Sequence, residues 1–247
     1  MRIGFISDIH EDIDNLRLAV KKLEAKSCEK IVCLGDIVGF SGLHYPYEST
    51  RSAERCVKLI QAICEVTVAG NHELFAIQKI PAYNAGFEYP DDWYKKSIEE
   101  QDNISKGLLW DYSTELENDL SSNSVDFLKA LPESKILEVE GLKLHCSHFH
   151  YPNFSGSKAE WPTNVLKLRQ HFLYTKDRDI DYSFSGHGHY SGALCAGRMR
   201  MHQFDFGDRL SLGNWKWISG PAVARNKNAS GCMFLDTQSM ELEIIQI

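Results

Sequence analysis

Residues 1–10 read MRIGFISDIH, a short apolar run that stops at an acid and a histidine. A run of this length predicts a β-strand that is buried on both faces. Residues 30–36, KIVCLGD, and residues 66–73, VTVAGNHE, repeat the arrangement with other polar residues at the end of the run. The beginning of the chain therefore predicts three core strands, each followed by side chains that can bind a metal ion.

Helices are predicted between these strands. Apolar residues recur at helical spacing after Asp12, at Ile13, Leu16, Val20 and Leu23. A second helix is expected from about Glu48 to Cys64. The order strand, helix, strand, helix, strand predicts an α/β protein with a parallel or mixed sheet.

The second half of the chain is richer in strands. We expect helices over residues 124–131 and near 163–172. We expect strands over residues 135–139, 141–147 and 181–185, and near 199–206, 215–218, 232–236 and 242–247.

An acidic, aromatic-rich segment, residues 74–124, interrupts this pattern. From Glu88 to Asp126 there are eleven Asp and Glu against three Lys, a local charge of −8, although the whole chain carries −7. The segment has too many Trp and Tyr residues for a disordered tail. We therefore expect a mostly helical insertion or cap within a single domain, residues 1–247. Its aromatic rings, together with Trp161, either form the segment's own core or wall a pocket, and the first alternative is favoured.

Composition and charge exclude several classes of protein. Of 247 residues, 43% are hydrophobic and 25% charged, a balance that excludes a disordered or collagen-like chain. No apolar run is long enough to span a membrane and the start lacks the features of a signal peptide, so we expect a soluble cytoplasmic protein. Seven cysteines without a C-x-x-C pair favour free thiols. The net charge of −7 disfavours binding to duplex nucleic acid, and nothing indicates the oligomeric state.

Five segments end in residue types that bind metal ions. They are Asp8-Ile9-His10, Gly35-Asp36, Gly70-Asn71-His72, His148-Phe149-His150 and Gly186-His187-Gly188-His189. Any one of them could be a helix cap or a turn, but functional sites of open α/β sheets form at the carboxyl ends of strands, where all five would meet. Carboxylate and imidazole ligands suit zinc, iron, manganese or nickel. So many ligands predict two ions that share a carboxylate, an arrangement typical of phosphatases and nucleases.

These motifs, in this order, resemble those of the calcineurin-like metallophosphoesterase superfamily. Within it, the sequence is similar to the small bacterial and archaeal phosphodiesterase-like members. The resemblance covers residues 1–72 and about 125–189 and fades through the acidic segment. It implies a four-layer α/β/β/α sandwich with two mixed β-sheets and a dinuclear metal centre at one sheet edge.

The resemblance also implies a role for each motif residue. Seven residues would bind the metals: Asp8, His10 and His189 the first ion, Asn71, His148 and His187 the second, and Asp36 both. His72 would not be a ligand and would face the substrate. The strand that carries His148 also holds His145 and His150, which are the alternatives for its ligand.

The activity implied is hydrolysis of a small phosphoester, of the phosphodiester or nucleotide type. Two divalent ions, with manganese favoured over iron, zinc or nickel, would activate a bridging water that attacks phosphorus, while His72 assists the leaving group. His44, in the loop after Asp36, and Arg225, near a late Gly-Pro turn, are candidates for contact with the substrate.

Two alternatives share the same fold. The first is a catalytically silent scaffold for protein interactions, which the complete set of expected ligands disfavours. The second is a nuclease of the same superfamily, which the acidic chain and its acidic segment disfavour.

Overall fold

Twelve β-strands and six α-helices make up the computed structural model, which describes residues 1–247. In chain order the strands are β1 (Arg2–Ile6), β2 (Lys30–Cys33), β3 (Val66–Thr67), β4 (Ser134–Val139), β5 (Leu142–Ser147), β6 (Tyr182–Ser185), β7 (Ala193–Ala196), β8 (Met201–Phe204), β9 (Arg209–Ser211), β10 (Trp217–Ser219), β11 (Gly231–Asp236) and β12 (Glu241–Gln246). The helices are α1 (Ile13–Ala25), α2 (Ala53–Ile63), α3 (Asn71–Ala76), α4 (Ile98–Ser105), α5 (Ser122–Ala130) and α6 (Arg169–Lys176).

The strands form two six-stranded mixed sheets. The order in the first sheet is β3-β2-β1-β11-β12-β9, in which β3, β2 and β1 are parallel and the other neighbours antiparallel. The order in the second is β4-β5-β6-β10-β7-β8, in which β5, β6 and β10 are parallel. The carboxyl ends of the parallel strands in each sheet lead into the loops that carry the predicted ligands.

The main core lies between the two sheets. Ile3 and Phe5 of β1 face the second sheet, and the ring of Phe5 stacks on that of Phe184 with 4.1 Å between centroids. On the outer side of the first sheet, Leu16 of α1 and Val57 of α2 join a second apolar cluster. Trp217 of β10 lies in a third cluster, toward α6. This order of layers, helix, sheet, sheet, helix, confirms the predicted four-layer α/β/β/α sandwich.

Gly4 explains how closely α1 packs on the first sheet. A Cβ at this position would lie 2.6 Å from Cδ1 of Leu23, well inside van der Waals contact. Because β1 alternates its faces, Gly4 points to α1 while its neighbours Ile3 and Phe5 point to the inter-sheet core. A larger residue at position 4 would push the helix away from the sheet.

Several element boundaries differ from those predicted. Helix α2 begins at Ala53 and not near Glu48, because the Ser52 side chain accepts a hydrogen bond from the Arg55 amide and caps the helix there. The helix expected near 163–172 is a 3-10 turn followed by α6. Strands β7 and β9 were not predicted. Each has only three or four residues, too few to show a strand pattern in the sequence. They form because they pair with strands far along the chain.

The acidic segment is less helical than expected. Between α3 and α5 it contains only the 3-10 turn Trp93–Lys95 and the eight residues of α4, and the rest is irregular backbone. The prediction of a mostly helical insertion is therefore corrected. Pro81 and Pro90 lack the amide hydrogen that a helix needs. Packing of the Trp93 ring against Tyr89, at 5.2 Å, makes part of the segment its own small core, as the favoured alternative predicts.

All seven cysteines are free thiols, as predicted. None of the helices is both long enough and apolar enough to cross a bilayer.

Candidate metal centre

The loops after the core strands hold their polar residues in strained backbone conformations. Asp8, His10, Asp36, His187 and His189 all have positive φ, between 45° and 66°. This left-handed region costs a residue with a side chain roughly 1–2 kcal/mol, and such strain concentrates at functional sites. Sequence pattern alone does not predict it, because it depends on the packing of the loops.

The first group of residues that could hold a metal ion comprises Asp8, His10 and His189. Nε2 of His189 lies 3.1 Å from Oδ1 of Asp8 and 3.2 Å from Nε2 of His10. Nδ1 of His10 donates a hydrogen bond to the carbonyl of Gly39 at 2.7 Å. This bond fixes the ring so that Nε2 faces the group, the arrangement typical of a metal-binding histidine.

The second group comprises Asp36, His148 and His187. Nε2 of His148 lies 2.9 Å from Oδ2 of Asp36 and 3.1 Å from Nδ1 of His187. Nδ1 of His148 donates a hydrogen bond to the carbonyl of Leu34 at 2.8 Å, so Nε2 is again the nitrogen that faces the group. Oδ2 of Asp36 is also 3.9 Å from Nε2 of His10 in the first group, which places this carboxylate between the two.

The residues present fit metal ions. Asn71 is fully buried, yet neither its Oδ1 nor its Nδ2 has a hydrogen-bond partner. A buried amide left in this state costs roughly 1–3 kcal/mol, so a ligand for it is expected. Each of the two groups brings its ligand atoms within 4.8 Å of one another. Their imidazoles and carboxylates are the ligands that transition metals prefer.

The protonation states of His10 and Asp36 favour metal binding as well. Burial, and then the nearby His72, lowers the pKa of His10 to about 3, so this ring is neutral and can act as a ligand. Burial alone would raise the pKa of Asp36, but the His148 and His72 rings hold it below its ordinary value. The carboxylate of Asp36 is therefore ionised at neutral pH.

Glu73 organises the loop that carries Asp36. Its buried carboxylate accepts hydrogen bonds from the amides of Asp36 at 2.7 Å, Ile37 at 2.7 Å, Val38 at 3.1 Å and Gly70 at 2.8 Å. It thereby ties the loop after β2 to the start of α3. The sequence contains this glutamate in the Gly-Asn-His-Glu motif, where its spacing from Gly70 is that of a capping box, but no role was predicted for it.

His72 lies beside the two groups. Its side chain is 10% exposed, Nδ1 contacts the carboxylate of Glu115, and Nε2 is 3.8 Å from Oδ2 of Asp36. Burial alone would lower the pKa of His72, but the charges of Glu115 and Asp36 raise it to about 10. Sequence analysis missed Glu115, which lies in irregular backbone where no periodic signal marks it.

The two alternative strand histidines lie elsewhere. Nδ1 of His145 is 3.0 Å from Oγ of Ser183, and its ring is 5.9 Å from that of His171. Nδ1 of His171 accepts a hydrogen bond from the amide of Tyr151. His150 is 6.4 Å from His171 by ring centroids. Of the three histidines at 145, 148 and 150, only His148 belongs to a ligand group.

A cavity of about 420 Å³ opens over the two groups. It is lined by His10, Asp36, Leu43, His44, Tyr45, His72, Trp110, Trp161, His187, Gly188, His189, Asn226, Lys227 and Asn228. His44 is thus where the sequence predicted it. The indoles of Trp110 and Trp161 stack with 5.4 Å between centroids, so at least these two aromatic residues wall the pocket, contrary to the favoured alternative.

Arg225, the other candidate for contact with substrate, is not among the lining residues of this cavity. Its guanidinium donates two hydrogen bonds to the carboxylate of Asp12, at 2.8 and 2.7 Å. That carboxylate also caps α1. Lys227, two residues further along, lines the cavity and forms no ion pair. Sequence reasoning did not identify Lys227, because a lone lysine in a loop carries no pattern.

Comparison with known proteins identifies the family. The model of the calcineurin-like phosphoesterase family matches residues 1–191. An uncharacterized protein from Methanocaldococcus jannaschii is 29% identical over 249 residues, which covers 99% of this chain and 86% of that protein.

Solved structures share the fold. A metallophosphoesterase from Sphaerobacter thermophilus superposes with a TM-score of 0.66 at 20% identity, covering 100% of this chain and 88% of that one. A hypothetical protein from Pyrococcus horikoshii superposes with a TM-score of 0.61 at 13% identity, covering 100% and 87%. At these identities the likeness concerns the fold.

Proposed function

This chain belongs to the calcineurin-like phosphoesterase family, and we propose that it hydrolyses phosphodiester or nucleotide-type substrates at a centre of two divalent metal ions. The observation that carries the proposal is the pair of adjacent ligand groups, one with Asp8 and the other with Asp36, beside the unpartnered side chain of Asn71. The number of ligands supports two ions rather than one.

Each ion has its own set of residues in this proposal. Asp8, His10 and His189 hold the first, Asn71, His148 and His187 hold the second, and Asp36 lies between them. A shared carboxylate reduces the repulsion between two cations. When bound, the ions polarise the phosphoryl oxygens and lower the pKa of an attacking water. Manganese is our first choice for the metal, with zinc, iron and nickel as the other ions that a mixture of carboxylate and imidazole ligands suits.

His72 assists the leaving group. Its Nε2 faces Asp36 from the wall of the cavity, and the charges around the ring favour the protonated form. A protonated imidazole in this position donates a proton to, or orients, the oxygen that departs from phosphorus. General acid catalysis of this kind is worth roughly 10²- to 10⁴-fold in rate.

The cavity supports a substrate larger than a phosphate group. Its volume of about 420 Å³ lies in the range of sites for small organic ligands. Trp161, which is 45% exposed, and its stacked neighbour Trp110 offer an aromatic surface on one part of the wall, and Lys227 offers a cation on another. A planar ester group and a negatively charged phosphate would find complementary partners there.

The test compares leaving groups in wild type and His72→Ala, both loaded with Mn²⁺. The substrates are bis(p-nitrophenyl) phosphate, whose leaving group is good, a dinucleoside monophosphate, whose leaving group is poor, and p-nitrophenyl phosphate, a monoester. We expect the diesters to be better substrates than the monoester. His72→Ala should keep its metals and lose roughly 10²- to 10⁴-fold in kcat on the dinucleoside ester, with a smaller loss on the p-nitrophenyl diester.

The exposed His202 of β8 provides a matched control, because His202→Ala removes an imidazole that does not line the cavity. Full activity of His72→Ala on the poor leaving group would refute the role of His72. Faster cleavage of the monoester would refute the expected preference for diesters.

A further inference from the structure

We propose that Glu115 is a positioning residue, which holds the His72 ring in the orientation that the leaving-group step needs. The inference rests on the proposed function of His72. The carboxylate of Glu115 contacts Nδ1 of His72, and the two side chains are 12% and 10% exposed. A contact this sheltered from water is a stronger constraint than an ion pair on the surface.

The contact determines which nitrogen faces the cavity. With Nδ1 occupied by Glu115, Nε2 is the atom directed toward Asp36, at 3.8 Å. A ring turned by 180° would give up this contact and leave the carboxylate of Glu115 without its partner. Glu115 therefore selects one of the two ring orientations.

The surroundings of the ring leave it little freedom. Tyr112 and His10 each meet it edge to face, with centroids 5.5 and 4.8 Å away. On another side, a Cβ at Gly39 would collide with the imidazole, so only glycine lets the ring sit this deep. Packing confines the ring to a slot, and the polar contact with Glu115 fixes its orientation within that slot.

The backbone around Glu115 is anchored on the loop after β2. The amide of Leu116 donates to the carbonyl of Phe40 at 2.9 Å, and Oγ of Ser41 donates to Oγ1 of Thr114 at 2.9 Å. Tyr112 stacks on Phe75 with 4.1 Å between centroids and 9° between ring planes. Residues 112–116 are thus fastened on both sides of Glu115, which allows irregular backbone to place a carboxylate accurately.

The experiment is a double-mutant cycle between His72 and Glu115 in the Mn²⁺-loaded enzyme. We expect Glu115→Ala to lower kcat on the dinucleoside ester roughly 10- to 100-fold, the range for removing a group that orients a functional histidine. KM and the number of bound metals should stay unchanged. Glu115→Gln, whose amide oxygen can still accept from Nδ1, should recover part of the loss. The double variant should be no slower than His72→Ala alone, because Glu115 acts only through His72.

Glu99→Gln is the matched control. Glu99 lies in α4 of the same acidic segment, its side chain is exposed, and it forms no hydrogen bond or ion pair. The substitution removes one negative charge as Glu115→Gln does, so any effect of overall charge would appear in both.

A second readout needs no turnover. In metal-free protein labelled with ¹⁵N, long-range ¹H–¹⁵N spectra report the protonation of each ring nitrogen. We expect wild type to show a proton on Nδ1 of His72 that is hydrogen-bonded to Glu115, and Glu115→Ala to alter that signal. Identical His72 signals in both proteins, or losses that add up in the double variant, would overturn the inference.

The failures of the two proposals are distinguishable. If His72→Ala itself keeps full activity, the proposed function is wrong. If His72→Ala loses activity but Glu115→Ala does not, the role of His72 stands and only that of Glu115 falls.

Discussion

Single residues outside the proposed metal ligands hold the candidate site in shape. Glu73 is the clearest case, since its one carboxylate takes up four backbone amides that would otherwise be left without partners in the interior. Burial, and then the charge of Asp36, raises its pKa to about 7. The amides donate to this buried carboxylate, and in doing so they hold Asp36 at the junction of the two ligand groups.

At the same scale, Lys227 and Arg225 both carry a positive charge but lie in different surroundings. Because Lys227 lines the cavity without an ion-pair partner, Lys227→Ala should raise KM for a phosphodiester about 3- to 10-fold. Arg225 is 40% exposed and bound to Asp12, so Arg225→Ala should leave KM within about twofold. It should cost about 1 kcal/mol of stability, after allowance for solvent screening.

Steady-state kinetics and thermal unfolding of both variants check this pair of predictions. A raised KM for Arg225→Ala with none for Lys227→Ala would reinstate Arg225 as the residue that contacts substrate.

The residues that sequence could identify share one property. Asp8, Asp36 and His187 follow short apolar strands directly, so the strand places them and the strand is visible in the pattern. Glu115 and Lys227 lie in loops whose course depends on long-range contacts. No periodicity marks them, and only the folded chain brings them to the cavity.

At the scale of the element, strand β5 explains why one histidine of three reaches the centre. Leu144 and Cys146 face the inter-sheet core, so His145 between them points to the outer side of the second sheet. His148 continues the inner side and meets Leu34 of the first sheet. The alternation of the strand therefore separates His148 from His145, and this could have been argued from the sequence once the inner face was known. His150 lies three residues beyond the end of the strand, so alternation does not place it.

The outward position of His145 predicts a pH effect on stability. Burial, and then the charge of Arg178, lowers the pKa of His145 to about 4, against about 6.5 in an unfolded chain. Between these values the unfolded chain binds a proton here that the folded chain does not, so the free energy of unfolding falls as pH falls from about 6.5 to 4. His145→Gln removes this dependence. Between pH 7.5 and 5.0, wild type should lose about 2 kcal/mol more than the variant.

Urea unfolding of metal-free protein at the two pH values measures the difference. Other histidines titrate in both proteins and cancel in the comparison. Parallel losses of stability in wild type and His145→Gln would show that His145 is not held neutral by the fold.

At the scale of the whole molecule, the C-terminal part of the chain completes both sheets. The family match ends at residue 191, and strands β7 to β12 all lie beyond it. Strand β11 pairs with β1 in the middle of the first sheet. The loop before it lets Asn228 donate to the carbonyl of His189 at 2.7 Å. Sequence indicated most of these strands but not their order, because a strand's partner is set by contacts far along the chain.

The acidic segment also forms part of the candidate site. It supplies Trp110 to the wall of the cavity and Glu115 to His72. Its charge was evident from composition. Its path over the centre was not, because so little of it is regular structure.

The central claim is that the chain holds two metal ions that share Asp36. The most direct test is the number of ions per chain after saturation with Mn²⁺ and removal of the excess, measured for wild type and Asp36→Asn. Asp126→Asn is the control, since Asp126 is an exposed residue of α5. We predict about two ions per chain in wild type and in Asp126→Asn, and fewer than one in Asp36→Asn. Folded wild-type protein that binds no Mn²⁺, or Asp36→Asn that binds as much as wild type, would contradict the account.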